Sequence, residues 1–187
     1  HTNFDGYSRH YHVGWLARPI RAYLRHFHNQ GIQTLVPTAE LAQQLQTLGF
    51  QHTQVLARGV DTARFSPQRR DPELRRQWGA TPETLVALYV GRLAAEKNLD
   101  LAIAAFQAIR RTQPAARLAL VGDGPLAARL RARHPDFVYC GMRQGLDLAA
   151  HYASADVFLF PSLTETFGNG VLEALASGLA VAAFDYA

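Results

Sequence analysis

Three residues that directly follow an apolar run have types suited to an anionic ligand. Gly91, Arg92 and Lys97 come after a run that ends at Val90. The guanidinium of arginine is a planar fork that matches a phosphate, whereas the lysine ammonium is a compact point charge. Lys97 is also the only lysine among the 19 basic residues of the chain. The segment could hold a diphosphate, or it could be a solvated turn in which Glu96 pairs locally.

A second candidate segment carries two carboxylates, Glu165 and Glu173, which are separated by seven residues. Glu165 is predicted in a loop, and Glu173 about one turn inside the helix that follows. Gly168 and Gly170 would leave the amino end of that helix open, where backbone N–H groups can meet an anion. A carboxylate there can also accept hydrogen bonds from paired sugar hydroxyls. The alternative is a pair of solvated acids near a helix start.

A third segment, Gly122-Asp-Gly124-Pro125, places two glycines between a predicted strand and a predicted helix. A dinucleotide-binding fingerprint needs a third glycine, which is missing here. Pro125 is predicted as the first helical residue, where a backbone N–H is not required. We interpret the segment as a tight turn near the ligand.

Short apolar runs and helix-patterned segments alternate regularly after about residue 84. The runs are Leu85–Val90, Leu118–Val121, Phe137–Cys140, Val157–Phe160 and Ala180–Phe184. The helical segments lie near 99–111, 125–133, 146–153 and 168–177, with Asn98 as a cap and Gly178 as a stop. Non-alternating apolar strands separated by helices indicate a parallel sheet covered on both faces. The sequence therefore predicts a doubly wound α/β domain.

The first 66 residues are predicted to belong to another domain. The predicted elements are a helix at 16–28, a strand at Thr34–Val36, a helix capped by Thr38 and a strand at Gln54–Ala57. Segment 58–67, which follows them, fits a linker. About 65 residues with two short strands are too few for a doubly wound domain. We therefore interpret the chain as a fragment that is cut at both ends.

Composition excludes several other classes of protein. Hydrophobic residues make up 48% of the chain and charged residues 18%, as in globular proteins, and no apolar run is long enough for a transmembrane helix. The single cysteine, Cys140, allows no internal disulfide and favours a reducing, cytoplasmic location. A net charge of +4 is too small to predict a nucleic-acid surface.

The three candidate segments together resemble the retaining glycosyltransferases of GT-B fold, family 4. The opening segment His1–Tyr7 is similar to the N-terminal domain of bacterial mannosyltransferase-like members that act on lipids. The resemblance implies two Rossmann-like domains. Residues 1–66 would be the C-terminal part of the acceptor-side domain with the linker, and 67–187 a nucleotide-sugar-binding domain truncated at its C-terminus. Ser177 and Ala180 stand where the family often has Cys and Pro.

Donor binding by four residues is also implied by the resemblance. Arg92 and Lys97, beside Gly91, would bind the donor diphosphate, and Glu173 would hold the ribose hydroxyls. Two cations and a helix amino end can stabilise a departing diphosphate without a metal, so the resemblance implies no cofactor and no metal.

Contacts to the transferred sugar and to the base follow from the same resemblance. Glu165 would contact the sugar, helped by the backbone around Phe167 and Gly168. His1 matches a histidine of the other domain that faces the sugar. The segment Val138–Gly141, with Val138 as its donor-binding residue, would lie beside the base. Together with Arg92 and Lys97, His1 and Glu165 are the predicted catalytic residues.

The function implied by the resemblance is transfer of a sugar from a nucleotide-sugar donor to a lipid or glycan acceptor, with retention of anomeric configuration. The donor is taken as GDP-mannose. Retention implies front-face attack without a carboxylate nucleophile. The protein would be cytoplasmic and peripheral at the inner face of the membrane. The alternatives are a GT-B-fold sugar-nucleotide epimerase, a nucleotide-sugar-binding module without turnover, and a flavodoxin-like signalling domain.

The predicted helix at 16–28 has two interpretations. Trp15, Arg18, Arg21 and Arg25 lie on or beside its apolar stripe. We favour a core-facing helix whose arginines are solvated. The alternative is contact with an anionic membrane surface.

Overall fold

A computed structural model of the protein describes residues 17–57, 59–162 and 168–183. Contacts within the chain separate a first compact unit, whose main part extends to Gly59 and which also includes Gly168, from a second that begins at Val60. Among the described residues, no helix has the length and apolar character that crossing a membrane requires.

The first unit contains two helices and a pair of parallel strands. In chain order these are α1 (Ala17–Asn29), β1 (Thr34–Val36), α2 (Ala39–Thr47) and β2 (Thr53–Val55). Strand β1 pairs with β2 so that Thr34 lies opposite Thr53. The predicted cap of α2 is confirmed, because the Thr38 hydroxyl accepts a hydrogen bond from the Leu41 N–H at 3.2 Å.

Helix α1 leaves its aromatic side chains at the surface. Tyr23 is 67% exposed and Phe27 is 62% exposed, and their rings stack with centroids 6.4 Å apart. Arg25 is exposed as well, although its guanidinium donates to the Leu48 carbonyl at 3.4 Å. Tyr23 and Phe27 are therefore not buried by the described residues, and the core-facing interpretation of this helix stays a prediction.

The second unit is a five-stranded parallel sheet with helices on both faces. Its elements are α3 (Pro72–Gln77), β3 (Val86–Val90), α4 (Leu99–Thr112), β4 (Arg117–Val121), α5 (Ala127–Arg133), β5 (Val138–Gly141), α6 (Gly145–Ala153), β6 (Val157–Phe160), α7 (Asn169–Ala176) and β7 (Ala180–Ala183). The strands lie in the order β5-β4-β3-β6-β7, and every neighbouring pair is parallel. The predicted doubly wound α/β fold is confirmed for this unit, with strand ends that differ by a residue.

Strand β3 shows why the apolar runs of the sequence do not alternate with polar residues. Ala87 and Tyr89 pack in one hydrophobic cluster with α4, whereas Val86 and Leu88 pack in a second cluster with α6 and α7. Because helices cover both faces, the successive side chains from Val86 to Tyr89 are all buried.

Three local expectations are corrected by the structure. Asn98 does precede α4, but it adopts a left-handed conformation at φ 51° and its side chain does not cap the helix. Helix α5 begins at Ala127 rather than at Pro125. The short helix α3 was not predicted, although Asp71 caps it by accepting hydrogen bonds from the N–H groups of Glu73 and Leu74.

The segment predicted as a linker packs into the second unit from Val60 onwards. Phe65 is buried, and its ring meets the Tyr152 ring edge-to-face with centroids 5.7 Å apart. The contact boundary at Gly59 therefore falls earlier than the predicted boundary at residue 66.

The amino ends of β3 and β6 are joined through one carboxylate, that of Asp156. It accepts hydrogen bonds from Arg70 at 2.8 Å, from Arg75 at 3.2 Å and from the Val86 N–H at 2.8 Å. Arg75 is only 3% exposed and also donates to the carbonyls of Ser154, Thr81, Pro82 and Thr84. This network stabilises the edge of the sheet at which β3 and β6 begin, opposite to the edge formed by the carboxyl ends of the strands.

We expect Ser177→Ala to raise the free energy of unfolding by about 0.5–1 kcal/mol, because burying a hydroxyl without a partner is unfavourable. Ser177 is 3% exposed, and no described residue hydrogen-bonds to its hydroxyl. Ser154→Ala is the matched control with the opposite sign, since the buried Ser154 hydroxyl accepts from the Asp71 N–H at 2.9 Å. Urea unfolding of both variants measures the two changes, and a loss of stability in Ser177→Ala would contradict the prediction.

Candidate functional site

The strand order brings together two candidate segments that are far apart in the chain. Strand β3 lies at the centre of the sheet, with β4 on one side and β6 on the other. The chain passes outwards from β3 through β4 and β5, then crosses to β6 and β7 on the opposite side. Ligands of open α/β sheets bind outside the carboxyl ends of the strands at such a reversal. The segments after Val90 and after Phe160 flank this point.

The segment after β3 presents two cations. Arg92 has a side chain that is 58% exposed, and its guanidinium lies 3.6 Å from the nearly buried carboxylate of Glu96. The local pairing of Glu96 is therefore confirmed, although it leaves the guanidinium accessible. Lys97 is half-buried and ends a short 3₁₀ turn, Ala95–Lys97, just before α4.

Backbone hydrogen bonds join this segment to the turn after β4. The Gly91 N–H donates to the Val121 carbonyl, and the Leu93 N–H donates to the Asp123 carbonyl, each at 2.9 Å. Gly122 has φ 130°, and a β-carbon there would collide with the Gly91 carbonyl oxygen. The interpretation of Gly122–Pro125 as a tight turn is thus confirmed, and the turn supports the cationic segment.

The segment after β6 is described only in part. Three predicted site residues, His1, Glu165 and Phe167, lie outside the described residues. Gly168, at φ 67°, directly precedes α7. Glu173 is in α7 one turn after Asn169, as the sequence predicted.

The environment of Glu173 favours its neutral form more than water does. Burial raises the pKa of Glu173 above its ordinary value, and the Tyr152 hydroxyl and the Arg64 charge offset this increase only in part. Burial, together with the negative charge of Glu173, raises the pKa of Tyr152 as well. The Tyr152 hydroxyl faces this carboxylate without a hydrogen bond of standard geometry among the described residues.

Tyr152 is a site neighbour that sequence reasoning missed. It lies in the apolar stripe of α6 and is fully buried, so its type and spacing resemble those of an ordinary core residue. Only the packing of α6 beside α7 shows that its hydroxyl faces Glu173.

We expect donor affinity to fall as the pH is lowered. Because the pKa of Glu173 is raised, the fall should begin at a higher pH than it would for a glutamate of ordinary pKa. In the ribose-binding role that the resemblance implies, an ionised Glu173 would accept hydrogen bonds from the donor, and its raised pKa means that the carboxylate becomes protonated earlier as the pH falls. The measurement is the ratio of the GDP dissociation constants of Glu173→Gln and wild type between pH 4.5 and 8, in which titration of the nucleotide itself cancels. The ratio should be about tenfold at pH 8 and approach one at the acidic end. A ratio that does not change with pH would exclude this role for Glu173.

Val138 is not brought to the carboxyl edge of the sheet. It is the first residue of β5, whereas Gly141 ends that strand and accepts a hydrogen bond from the Gly122 N–H at 2.8 Å. Within the predicted base segment Val138–Gly141, Gly141 is therefore the residue that lies next to the glycine turn.

Across 17–57, 59–162 and 168–183, no group of three or more His, Cys, Asp or Glu side chains is arranged to hold a metal ion. Among the histidines of α1, His28 contacts the neighbouring strand, since its ring nitrogen lies 3.2 Å from the Thr34 hydroxyl.

The strand order, with the glycine-supported cationic segment at the reversal, is that of a doubly wound, Rossmann-like domain. The sequence profile of the family described as Glycosyl transferases group 1 matches residues 84–187. The chain is 40% identical over 186 residues to a GDP-mannose-dependent alpha-mannosyltransferase of Mycobacterium tuberculosis, covering 98% of this chain and 47% of the relative. It is 35% identical over 178 residues to the protein of the same description from Corynebacterium glutamicum, covering 95% and 42%. The chain belongs to the glycosyl transferases group 1 family.

Solved structures of GT-B glycosyltransferases share the fold. The Anabaena protein HepE, crystallised with UDP and glucose, superposes with a TM-score of 0.72 at 20% identity, over 89% of this chain and 48% of HepE. Sucrose-phosphate synthase from Thermosynechococcus elongatus superposes with a TM-score of 0.73 at 23% identity, over 89% of this chain and 44% of the synthase. The chain thus spans about half the length of the relatives that it matches.

Proposed function

We propose that the protein containing this chain transfers a sugar from a nucleotide-sugar donor to an acceptor. The observation that carries the proposal is the placement of Gly91–Lys97 and α7 at the strand-order reversal of the second unit. In this proposal Arg92 and Lys97 bind the donor diphosphate, and Glu173 binds the ribose hydroxyls.

The proposed chemistry is stabilisation of the charge that develops on the departing diphosphate. Two cations and the amino end of α7 supply this stabilisation through preorganised electrostatics, so we propose that the reaction needs no metal. We also propose retention of anomeric configuration, with front-face attack in which the leaving phosphate takes the acceptor proton. His1 and Glu165, with the backbone at Phe167 and Gly168, would contact the transferred sugar.

GDP-mannose is the proposed donor, and a lipid or glycan the proposed acceptor. Support for the donor comes from the relatives described as GDP-mannose-dependent mannosyltransferases. Support for a lipid comes from a relative described as a phosphatidylinositol dimannoside mannosyltransferase, 38% identical over 78% of this chain and 39% of its own length. UDP-sugars are the competing donors, because HepE was crystallised with UDP.

A donor screen on the full-length gene product tests this function. Nucleotide release is measured from GDP-mannose, GDP-glucose, UDP-glucose and UDP-N-acetylglucosamine, with and without phosphatidylinositol vesicles. Acceptor-dependent release of GDP from GDP-mannose supports the proposal. Conversion of the donor sugar to an epimer, without release, would instead identify the epimerase, and binding without either reaction would identify the non-catalytic module.

We further propose that the protein is cytoplasmic and contacts the inner face of the membrane through α1. The exposed rings of Tyr23 and Phe27 and the arginines of the same helix, Arg18 and Arg21, combine apolar and cationic groups as interfacial helices do. Flotation with vesicles containing anionic lipid tests this contact.

The charge variant for this test is Arg18→Gln/Arg21→Gln/Arg25→Gln. Its matched control removes the same charge from the exposed arginines of α5, as Arg129→Gln/Arg131→Gln/Arg133→Gln. Loss of vesicle binding in the α1 variant alone supports the contact, and equal binding of both variants refutes it.

A further inference from the structure

Tyr89 combines a core position with a hydroxyl directed at the candidate site. Its ring is 2% exposed and packs in the hydrophobic cluster that covers one face of β3. Its hydroxyl donates a hydrogen bond to the Arg92 carbonyl oxygen at 3.0 Å. An ordinary core position would be filled equally well by phenylalanine, so the polar atom calls for an explanation.

The backbone between Tyr89 and Arg92 is folded over that hydroxyl. A β-carbon at Gly91 would lie 2.9 Å from the Tyr89 hydroxyl oxygen, so a larger residue there would force that hydroxyl to shift. The Arg92 carbonyl also accepts from the Ala94 N–H at 3.0 Å, so both of its lone pairs are engaged. The peptide that follows Arg92 is thereby held from two directions.

The side chain of Arg92 is restrained less strongly than its backbone. Its guanidinium is separated from the Glu96 carboxylate by 3.6 Å, beyond hydrogen-bond distance, and is largely exposed. The direction in which the guanidinium points therefore depends on the backbone from which it extends.

We propose that Tyr89 is a positioning residue for Arg92, whose hydroxyl orients the backbone so that the guanidinium meets the donor diphosphate. This inference rests on the proposed function of the same site. A diphosphate bound by a preorganised arginine does not have to supply the free energy of ordering that arginine, so affinity is lost when the order is lost.

The test is a double-mutant cycle on nucleoside diphosphate affinity. Calorimetric titration with GDP and with UDP first identifies the nucleotide that the wild type binds more tightly. The dissociation constant of that nucleotide is then measured for Tyr89→Phe, Arg92→Ala and the double variant. We expect Tyr89→Phe to weaken binding about five- to twentyfold in the wild-type background and less than twofold in the Arg92→Ala background. If the fold-losses of affinity caused by the two single substitutions simply multiply in the double variant, the two residues act independently and the inference is overturned.

Tyr139→Phe is the matched control. Its hydroxyl also donates to a backbone carbonyl, that of His134 at 3.1 Å, where β5 begins. Tyr139→Phe should bind the nucleotide as the wild type does, even if it unfolds at a lower temperature. An equal loss of affinity in Tyr139→Phe would show a general loss of structure and would overturn the positioning role.

Failure of the proposed function has a different signature. If the wild-type protein binds neither GDP nor UDP, the proposed function is refuted, and the positioning role fails with it. If the wild type binds but the cycle shows no coupling between Tyr89 and Arg92, only the positioning role is refuted.

Discussion

Replacing Lys97 with alanine is expected to lower kcat/KM for the proposed sugar transfer by roughly 30- to 1,000-fold, which corresponds to about 2–4 kcal/mol of lost transition-state stabilisation. Lys97 ends the 3₁₀ turn after β3, at the strand-order reversal where a diphosphate would lie. Negative charge builds on the diphosphate as the sugar leaves, so an ammonium there stabilises the transition state more than the ground state. The loss should therefore appear in kcat as well as in KM.

Two further variants separate a specific ammonium from positive charge in general. Lys97→Arg keeps the charge but replaces a compact ammonium with a planar fork, so we expect only partial recovery of kcat/KM. Arg111→Ala removes one positive charge from the exposed last turn of α4 and should react as the wild type does.

The measurement is donor-dependent nucleotide release by the full-length gene product, at saturating acceptor and with thermal unfolding as a check of folding. If Lys97→Ala reacts within threefold of wild type, the assignment of Lys97 to the diphosphate is incorrect.

Asp156→Asn is expected to have the largest effect on stability, a loss of about 2–3 kcal/mol in the free energy of unfolding. Removing one member of a buried ion pair costs about 3–5 kcal/mol, because the partner charge stays buried. We reduce that figure because the Asp156 side chain is 30% exposed, whereas that of Arg75 is 4% exposed. The remaining carbonyl partners of Arg75 limit the loss further.

The loss should depend on pH in a defined direction. Burial raises the pKa of Asp156, but hydrogen bonds from Arg70, the Val86 N–H and Arg75 outweigh burial, and the net pKa is lowered from 3.8. A carboxyl group with a lowered folded-state pKa stabilises the fold above its unfolded pKa and loses that effect as the pH falls through the folded value. The difference between wild type and Asp156→Asn should therefore be full at pH 6 and shrink below about pH 4.

Asp136→Asn is the matched control for this experiment. Asp136 pairs with Arg110 at 2.6 Å, but both side chains are substantially exposed, so the variant should lose less than about 1 kcal/mol. Urea unfolding of the wild type and both variants at pH 6 and pH 3.5 gives the stability loss of each variant at each pH. Equal losses in the two variants at pH 6 would show that Asp156 has no special role at the β3–β6 junction.

Local patterns predicted most of the second unit because they report local causes. Its strands are short apolar runs, and its helices begin and end near glycines and polar residues. The exceptions also have local explanations. Helix α3 has only six residues, too few for a visible apolar period, although Asp71 and Pro72 provide the usual start signal. Pro125 lies in the turn before α5 rather than in the helix itself.

The sequence by itself determined that the chain is α/β, that the central strands of the second unit are buried on both faces, and that Gly91–Lys97 and the segment before α7 follow strands. Apolar periodicity and residue chemistry determine these features, and both are properties of neighbouring residues. The tertiary structure alone decided that β3 and β6 are adjacent, because strand order depends on which long crossovers pack. It also decided the partners of Tyr89, Tyr152 and Asp156, since an apolar stripe indicates that a residue is buried but not which group its polar atom meets.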